Sequence, residues 1–249
     1  MDKLNNIGGI LLDLEGVLFV GERPVDGAVE TIRCLKEKQI PHYFVTNTTT
    51  KSRDALAQKM RRLGFVVEPE EILTASSAAR AYLDQRNPAS CYLLVADAVR
   101  DEFKAFPVSE QTPDFVVIGD IGPVWDHELV NRAFQMVMSG AELVALHKSK
   151  YWQSRQGLQV DIGAYVAGLE YATGTTAVVI GKPSSEFFEA GIQALDCPKE
   201  QIVMIGDDID SDVEGAQKCG IRGVLVRTGK YREEIETASS IVPDAIFDS

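Results

Sequence analysis

Apolar residues along this chain come in two patterns, short unbroken runs and longer periodic stretches, and the two alternate from one end to the other. Ile10–Leu12, Tyr43–Val45, Ile202–Ile205 and Val224–Val226 are too short for helices and rich in branched or aromatic side chains, so they predict buried strands. Gly27–Lys38 (opened by Asp26), Lys51–Leu63 and Asp212–Cys219 space their apolar residues at helical intervals and predict helices. The middle third repeats the pattern, with strands at Cys91–Val95, Phe115–Ile118 and Leu143–Leu146 and helices near Ala78–Gln85, Glu128–Met138 and Ile162–Ala172. Strands that are apolar throughout, instead of alternating, are covered on both faces, as in a parallel sheet between two helix layers. The expected fold is α/β, a Rossmann-like doubly wound parallel sheet.

Three of these strands stop abruptly in polar residues: Asp13-Leu14-Glu15-Gly16 after the first, Thr46-Asn47-Thr48-Thr49 after the second, and Gly206-Asp207-Asp208-Ile209-Asp210-Ser211-Asp212 late in the chain. Ligands of open parallel sheets bind outside the carboxyl ends of the strands, so the three clusters are expected to converge. One Asp after a strand reads most simply as a helix cap or turn residue, and Asp212 could cap the helix behind it. Asp13, Asp207 and Asp208 brought together are another matter, because clustered carboxylates repel unless a cation neutralises them. Oxygen donors with no His or Cys beside them suit Mg²⁺. Thr46 and Asn47 would add neutral groups at the same rim. Lys182, followed by Pro183 and a helix start at Ser184-Ser185-Glu186, forms an anion-binding arrangement.

Composition narrows the partners. The 249 residues hold 25 Lys+Arg against 37 Asp+Glu, a formal charge of −12, which argues against nucleic acid, whose backbone needs clustered basic residues. A small anionic ligand is compatible with it. Hydrophobic residues at 45% and charged residues at 25% are ordinary globular values. No apolar stretch approaches the ~18 residues of a membrane helix, and no secretory leader is visible. Cys34, Cys91, Cys197 and Cys219 are scattered without metal-type spacing, which leads us to expect reduced thiols in a cytoplasmic protein.

In their order, these motifs resemble those of the haloacid dehalogenase superfamily of phosphatases: Asp13-Leu14-Glu15-Gly16-Val17 its first motif, Thr46-Asn47 its second, Lys182 its third, and Asp207 with Asp212 its fourth. The segments 147–152, 157–163 and 169–183 resemble the branch with a large α/β cap. That resemblance implies a hydrolase core at 1–76 and 179–249 with a smaller α/β cap domain inserted at 77–178. It also implies Asp13 as nucleophile, and Mg²⁺ held by Asp13, the Glu15 carbonyl, Asp207 and Asp212. The phosphoryl group would lie against Thr46, Asn47, Lys182 and the backbone of Leu14 and Glu15, and the substrate would be a small phosphorylated molecule.

The family's usual first motif has Asp where this chain has Glu15, and that residue serves as general acid for the leaving group. The substitution leaves the carbonyl ligand intact and leans the expected substrates toward good leaving groups, phosphoramidates and pyrophosphate among them. It also raises an alternative, a phosphate-binding pseudoenzyme with little turnover. In the cap, Lys148, Lys150, Arg155 and Asp161 are candidates for substrate contact. Tyr151 and Trp152 are candidates for packing, for substrate, or for a homodimer through the cap.

Overall fold

The computed structural model describes residues 6–154 and 157–249, and the chain divides into two compact units. One comprises the chain up to Thr46, Arg53–Leu73 and Lys182–Ser249; the other comprises Asn47–Ser52 and Thr74–Gly181. The first unit begins with β1 (Gly9–Asp13), a hairpin of β2 (Phe19–Val20) and β3 (Arg23–Pro24), α1 (Ala28–Glu37), β4 (His42–Thr46), α2 (Arg53–Arg62) and β5 (Ile72–Thr74). The second carries α3 (Ala75–Arg86), β6 (Cys91–Leu94), β7 (Phe115–Ile118), α4 (His127–Met138), β8 (Glu142–Ala145), β9 (Tyr151–Ser154), β10 (Gly157–Val160), α5 (Gly163–Thr173) and β11 (Val178–Val179). The chain then returns to the first unit with α6 (Ser185–Leu195), β12 (Ile202–Gly206), α7 (Gly215–Lys218), β13 (Arg222–Val226), α8 (Glu233–Ala238) and β14 (Ala245–Phe247).

In the first unit six strands order as β14-β13-β12-β1-β4-β5. β1 is parallel to β12 on one side, with Ile10 opposite Val203, and to β4 on the other, with Leu12 opposite Phe44. Strand order reverses across β1, so the carboxyl end of β1 lies at a topological switch point. Both faces are covered, which is why all five residues of β1 are buried. Ile10, Leu12 and Phe44 pack with Ile32 and Leu35 of α1 and with Leu56, Ala57 and Met60 of α2. On the other face α6 lies so close that a β-carbon on Gly191 would stand 3.0 Å from the Leu11 side chain.

The second unit has its own parallel sheet, β11-β8-β7-β6, and an antiparallel pair of strands, β9 and β10. Tyr92, Val116, Leu143 and Ala145 form its core with Ala133, Met136 and Val137 of α4 and with Val166 and Leu169 of α5.

Two helix starts differ from expectation. The residue before α1 is Gly27 in the left-handed region (φ 79°), with no side-chain cap, so Asp26 does not open that helix. α2 begins at Arg53 instead of Lys51. Among the described residues no helix is long and apolar enough to cross a membrane.

Candidate active site

β1 ends on Asp13, and the chain folds back at once. The Leu18 and Phe19 amides donate to the Leu14 carbonyl at 3.0 and 3.3 Å, and the Gly16 amide donates to the Phe19 carbonyl at 2.8 Å. The Leu14 side chain joins the apolar core, so only its backbone is available to a ligand. Thr46, buried, ends β4. Lys182 opens the returning segment, two residues before Ser184, whose hydroxyl caps α6 by accepting from the Phe187 amide at 3.4 Å. β12 ends on Gly206, and Asp207 follows it.

These elements bring four charged side chains into one buried place. The Lys182 Nζ lies 2.6 Å from Asp13 Oδ1 and 2.7 Å from Asp212 Oδ1. Asp13, Asp207 and Asp212 each offer a carboxylate oxygen, and the three oxygens lie within 4.8 Å of one another. Burial alone would lower the Lys182 pKa, but Asp13 and Asp212 outweigh it and hold the ammonium well above the ordinary lysine range. Asp207 is pushed up to about 6, mainly by burial, with Asp13 adding to the rise against a hydrogen bond from the Lys230 amide. Burial raises Asp212 as well, opposed by Lys182 and reinforced by Asp13. Three carboxylates facing one ammonium leave an excess of negative charge in a place with little water, which is costly to hold.

Asp207 shows where the compensation belongs. Its Oδ2 accepts from the Lys230 amide at 2.6 Å, while its Oδ1 is buried with no hydrogen-bond partner. A buried acceptor left unsatisfied costs about 1–3 kcal/mol, more when it is charged. An all-oxygen cluster with an orphaned carboxylate oxygen fits a hard divalent cation.

The turn after β12 corrects two expectations. Asp208 does not join the cluster; its Oδ1 accepts from the Asp210 and Ser211 amides at 3.1 and 3.0 Å and caps a single π-helical turn, Ile209–Glu214, that runs into α7. Asp212 is not a cap. It lies within that turn, its Oδ2 accepts from the Asp208 amide at 3.2 Å, and its Oδ1 faces Lys182.

Glu15 is half exposed. Its Oε1 accepts from the Gly21 amide at 2.8 Å, and its Oε2 lies 3.7 Å from the Lys59 ammonium. Asn47 belongs to the second unit, where its Oδ1 would stand 2.8 Å from a β-carbon on Gly181. In that unit Lys148 pairs with Glu170. Asp161 Oδ1 accepts from the Ile162 amide at 2.7 Å and lies 3.9 Å from the buried His147 ring. Lys150 and Tyr151 are exposed. Arg155 and the Trp152 side chain lie outside the described residues.

A fourth strand end contributes a segment that was not anticipated from sequence. After β13 the Thr228 hydroxyl donates to the Gly16 carbonyl, and the Lys230 amide holds Asp207. Arg227-Thr228-Gly229-Lys230 is a polar, glycine-bearing stop after an apolar strand, the same signal as at Asp13 and Asp207.

Known proteins place this geometry in a family. A model described as haloacid dehalogenase-like hydrolase matches residues 10–108, and one described as HAD-hydrolase-like matches residues 179–249. Human phospholysine phosphohistidine inorganic pyrophosphate phosphatase is 39% identical, over 99% of this chain and 93% of its own. Rat haloacid dehalogenase-like hydrolase domain-containing protein 2 is 41% identical, over 90% of this chain and 85% of its own. The crystal structure of a 4-nitrophenylphosphatase from Thermotoga maritima superposes with a TM-score of 0.92 at 26% identity, covering 100% of this chain and 97% of that one. The chain belongs to the haloacid dehalogenase-like hydrolase family, and its similar proteins include phosphatases.

Proposed function

We propose that this chain is a Mg²⁺-dependent phosphatase acting through an aspartyl-phosphate on a small phosphorylated metabolite, a phosphoramidate or pyrophosphate. The observation that carries the reading is the buried set of Asp13, Lys182, Asp207 and Asp212 at the switch point of the sheet, with one Asp207 oxygen left without a partner. Names of similar proteins support the substrate range: one is named for phospholysine, phosphohistidine and inorganic pyrophosphate, another for 4-nitrophenyl phosphate. The inserted unit is read as the cap. Its exposed cross-strand pair Tyr151 and Val160 is where a homodimer would bury apolar surface.

In the first step a carboxylate oxygen of Asp13 attacks phosphorus in line, and the bond from phosphorus to the leaving group breaks as the acyl phosphate forms. Glu15 gives its proton to the departing atom. In the second step water attacks the same phosphorus, Glu15 takes the proton from that water, and Asp13 is released with inorganic phosphate. Dividing one slow displacement into two is what a covalent nucleophile contributes. Lys182 and Thr46, with the Leu14 and Glu15 amides, hold the phosphoryl oxygens and stabilise the charge on them. Mg²⁺ bound by Asp13, Asp207, Asp212 and the Glu15 carbonyl would neutralise the remaining oxygens and align the group for displacement. Uncatalysed monoester hydrolysis can require ~10²¹-fold acceleration, of which general acid catalysis is typically ~10²–10⁴. Positioning and charge stabilisation therefore carry most of it.

Phosphate release from 4-nitrophenyl phosphate, pyrophosphate and a phosphoramidate, titrated with Mg²⁺, tests the reading. We expect Mg²⁺-dependent turnover that falls at least about 10³-fold in Asp13→Asn. Activity retained in that variant removes Asp13 as nucleophile. A wild-type protein that binds Mg²⁺ and phosphate yet turns over none of the panel is the pseudoenzyme instead.

A further inference from the structure

Among the described residues two lysines are buried, Lys182 in the acidic cluster and Lys59 on α2. Lys59 shares the buried face of its helix with Leu56, Ala57 and Met60, and its side chain is 11% exposed. A lysine so placed needs its charge met, and the β2–β3 hairpin meets it. The ammonium stands 4.3 Å from the centre of the Phe19 ring, 3.7 Å from Glu15 Oε2 and 3.7 Å from Glu22 Oε1. The ring face attracts the ammonium electrostatically, and more strongly as the site dries.

Glu15 is thus held at both oxygens, by the Gly21 amide on one and Lys59 near the other. Phe19, which supports Lys59, is bridged to Glu15 itself. A glutamate has one more rotatable bond than an aspartate, so at a position that must deliver a proton its carboxyl is positioned only if something outside the side chain fixes it. The Gly21 amide fixes one oxygen but leaves the group free to swing about that bond. The Lys59 ammonium, anchored in the core and 3.7 Å from the other oxygen, restrains that swing.

We propose that Lys59 is the positioning residue for Glu15: from α2 it sets where the Glu15 carboxyl stands, and so the efficiency of proton delivery to the leaving group. The inference rests on the proposed role of Glu15 as general acid and adds a residue outside the four motifs. No bond is made or broken at Lys59; the proton passes from Glu15 to the leaving atom as the bond to phosphorus breaks.

The test is the dependence of kcat/KM on leaving group, since kcat/KM covers only the steps up to expulsion of that group. A series of aryl and alkyl phosphates, from 4-nitrophenyl to phenyl to alkyl, is measured for wild type, Glu15→Gln, Lys59→Met, Lys59→Arg, Glu22→Gln and the double variant Glu15→Gln/Lys59→Met. Lys59→Met keeps the buried stem and removes the charge, and Lys59→Gln serves in its place if it fails to fold. We expect Lys59→Met to slow phenyl and alkyl phosphates about tenfold or more while 4-nitrophenyl phosphate changes by less than about threefold. Lys59→Arg is expected to restore the wild-type slope, Glu22→Gln to keep it, and Lys59→Met to add nothing in the Glu15→Gln background. If Glu15→Gln steepens the slope but Lys59→Met slows all substrates equally, adds fully to Glu15→Gln, or is matched by Glu22→Gln, the positioning role is overturned and Glu15 keeps its own. If Glu15→Gln leaves the slope unchanged, Glu15 is not the acid and the role of Lys59 falls with it.

Discussion

Gly16 and Gly229 both press on the same oxygen of Asp207, and neither could carry a side chain without moving it. A β-carbon on Gly16 would stand 1.9 Å from Asp207 Oδ2, and one on Gly229 would stand 2.1 Å from the same oxygen and 2.3 Å from the Gly16 α-carbon. Both have positive φ, +99° and +55°, which adds backbone strain to the clash for any other residue. The closeness has a purpose, because it seats Asp207 Oδ2 against the Lys230 amide at 2.6 Å while Oδ1 remains without a partner. Gly229→Ala should therefore displace the carboxylate more than it unfolds the chain. We expect it to weaken Mg²⁺ binding by about 10–100-fold, the range for disturbing groups that orient metal ligands, read from the Mg²⁺ dependence of activity or by calorimetry. An unchanged Mg²⁺ affinity would show that Asp207 is not a ligand.

At the scale of elements, the turn between β12 and α7 carries one half of the cluster. Asp208 holds it shut by accepting from two amides, and its own amide donates to Asp212. Asp208→Ala should cost about 1 kcal/mol, as other caps do, and should also loosen Asp212 so that both stability and Mg²⁺ affinity fall. Asp208→Asn keeps an acceptor and should lose less of each. If Asp208→Ala lowered the melting temperature while leaving Mg²⁺ affinity intact, the turn would be a cap and nothing more. This turn also shows what sequence could and could not convey. The apolar runs foretold the long strands of both sheets because each is buried on two faces and cannot alternate. The polar stops after them led to Asp13 and Asp207, whose carboxylates the fold brings together, because a strand end at a switch point is a place and not merely a pattern. Which of Asp208 and Asp212 caps and which faces Lys182 depends on the π-helical turn between them, and no residue pattern distinguishes that turn from an α-helical one. The β2–β3 hairpin was illegible for a different reason. Its strands have two residues each, too few for periodicity, and what makes it matter is a lysine from a helix some forty positions away in the chain. Lys59 sits three residues from Leu56 on an amphipathic helix, and only the fold shows Phe19 lying against it.

For the molecule as a whole, a formal charge of −12 and a buried acidic cluster lead us to expect a stability that depends on pH and on divalent cation together. Burial holds the Asp207 carboxyl at about 6 against an ordinary 3.8. Between those values the cation-free folded chain keeps a proton there that the unfolded chain has lost. The folded state then binds more protons, so this group's contribution is fully present below the lower value and is lost as pH rises through the window. A cation needs the ionised carboxylate and competes with that proton, so it stabilises least where the proton is bound. At a hundredfold excess over its dissociation constant, a ligand bound only by the folded state adds about 2.7 kcal/mol, or about 5–10 °C in Tm for a chain of this size. At pH 5 the proton on Asp207 alone weakens cation binding about tenfold, and the raised Asp212 carboxyl competes in the same direction, so the gain at the same Mg²⁺ concentration falls to about half or less. Melting curves at pH 5 and pH 7.5, with and without Mg²⁺, should therefore show a rise at least about twice as large at the higher pH. In Asp207→Asn that difference should be reduced, because the carboxyl that exchanges proton for cation is gone. An equal rise at both pH values in the wild type would mean that the cation binds away from Asp207, and the acidic cluster would lose its assignment as the metal site.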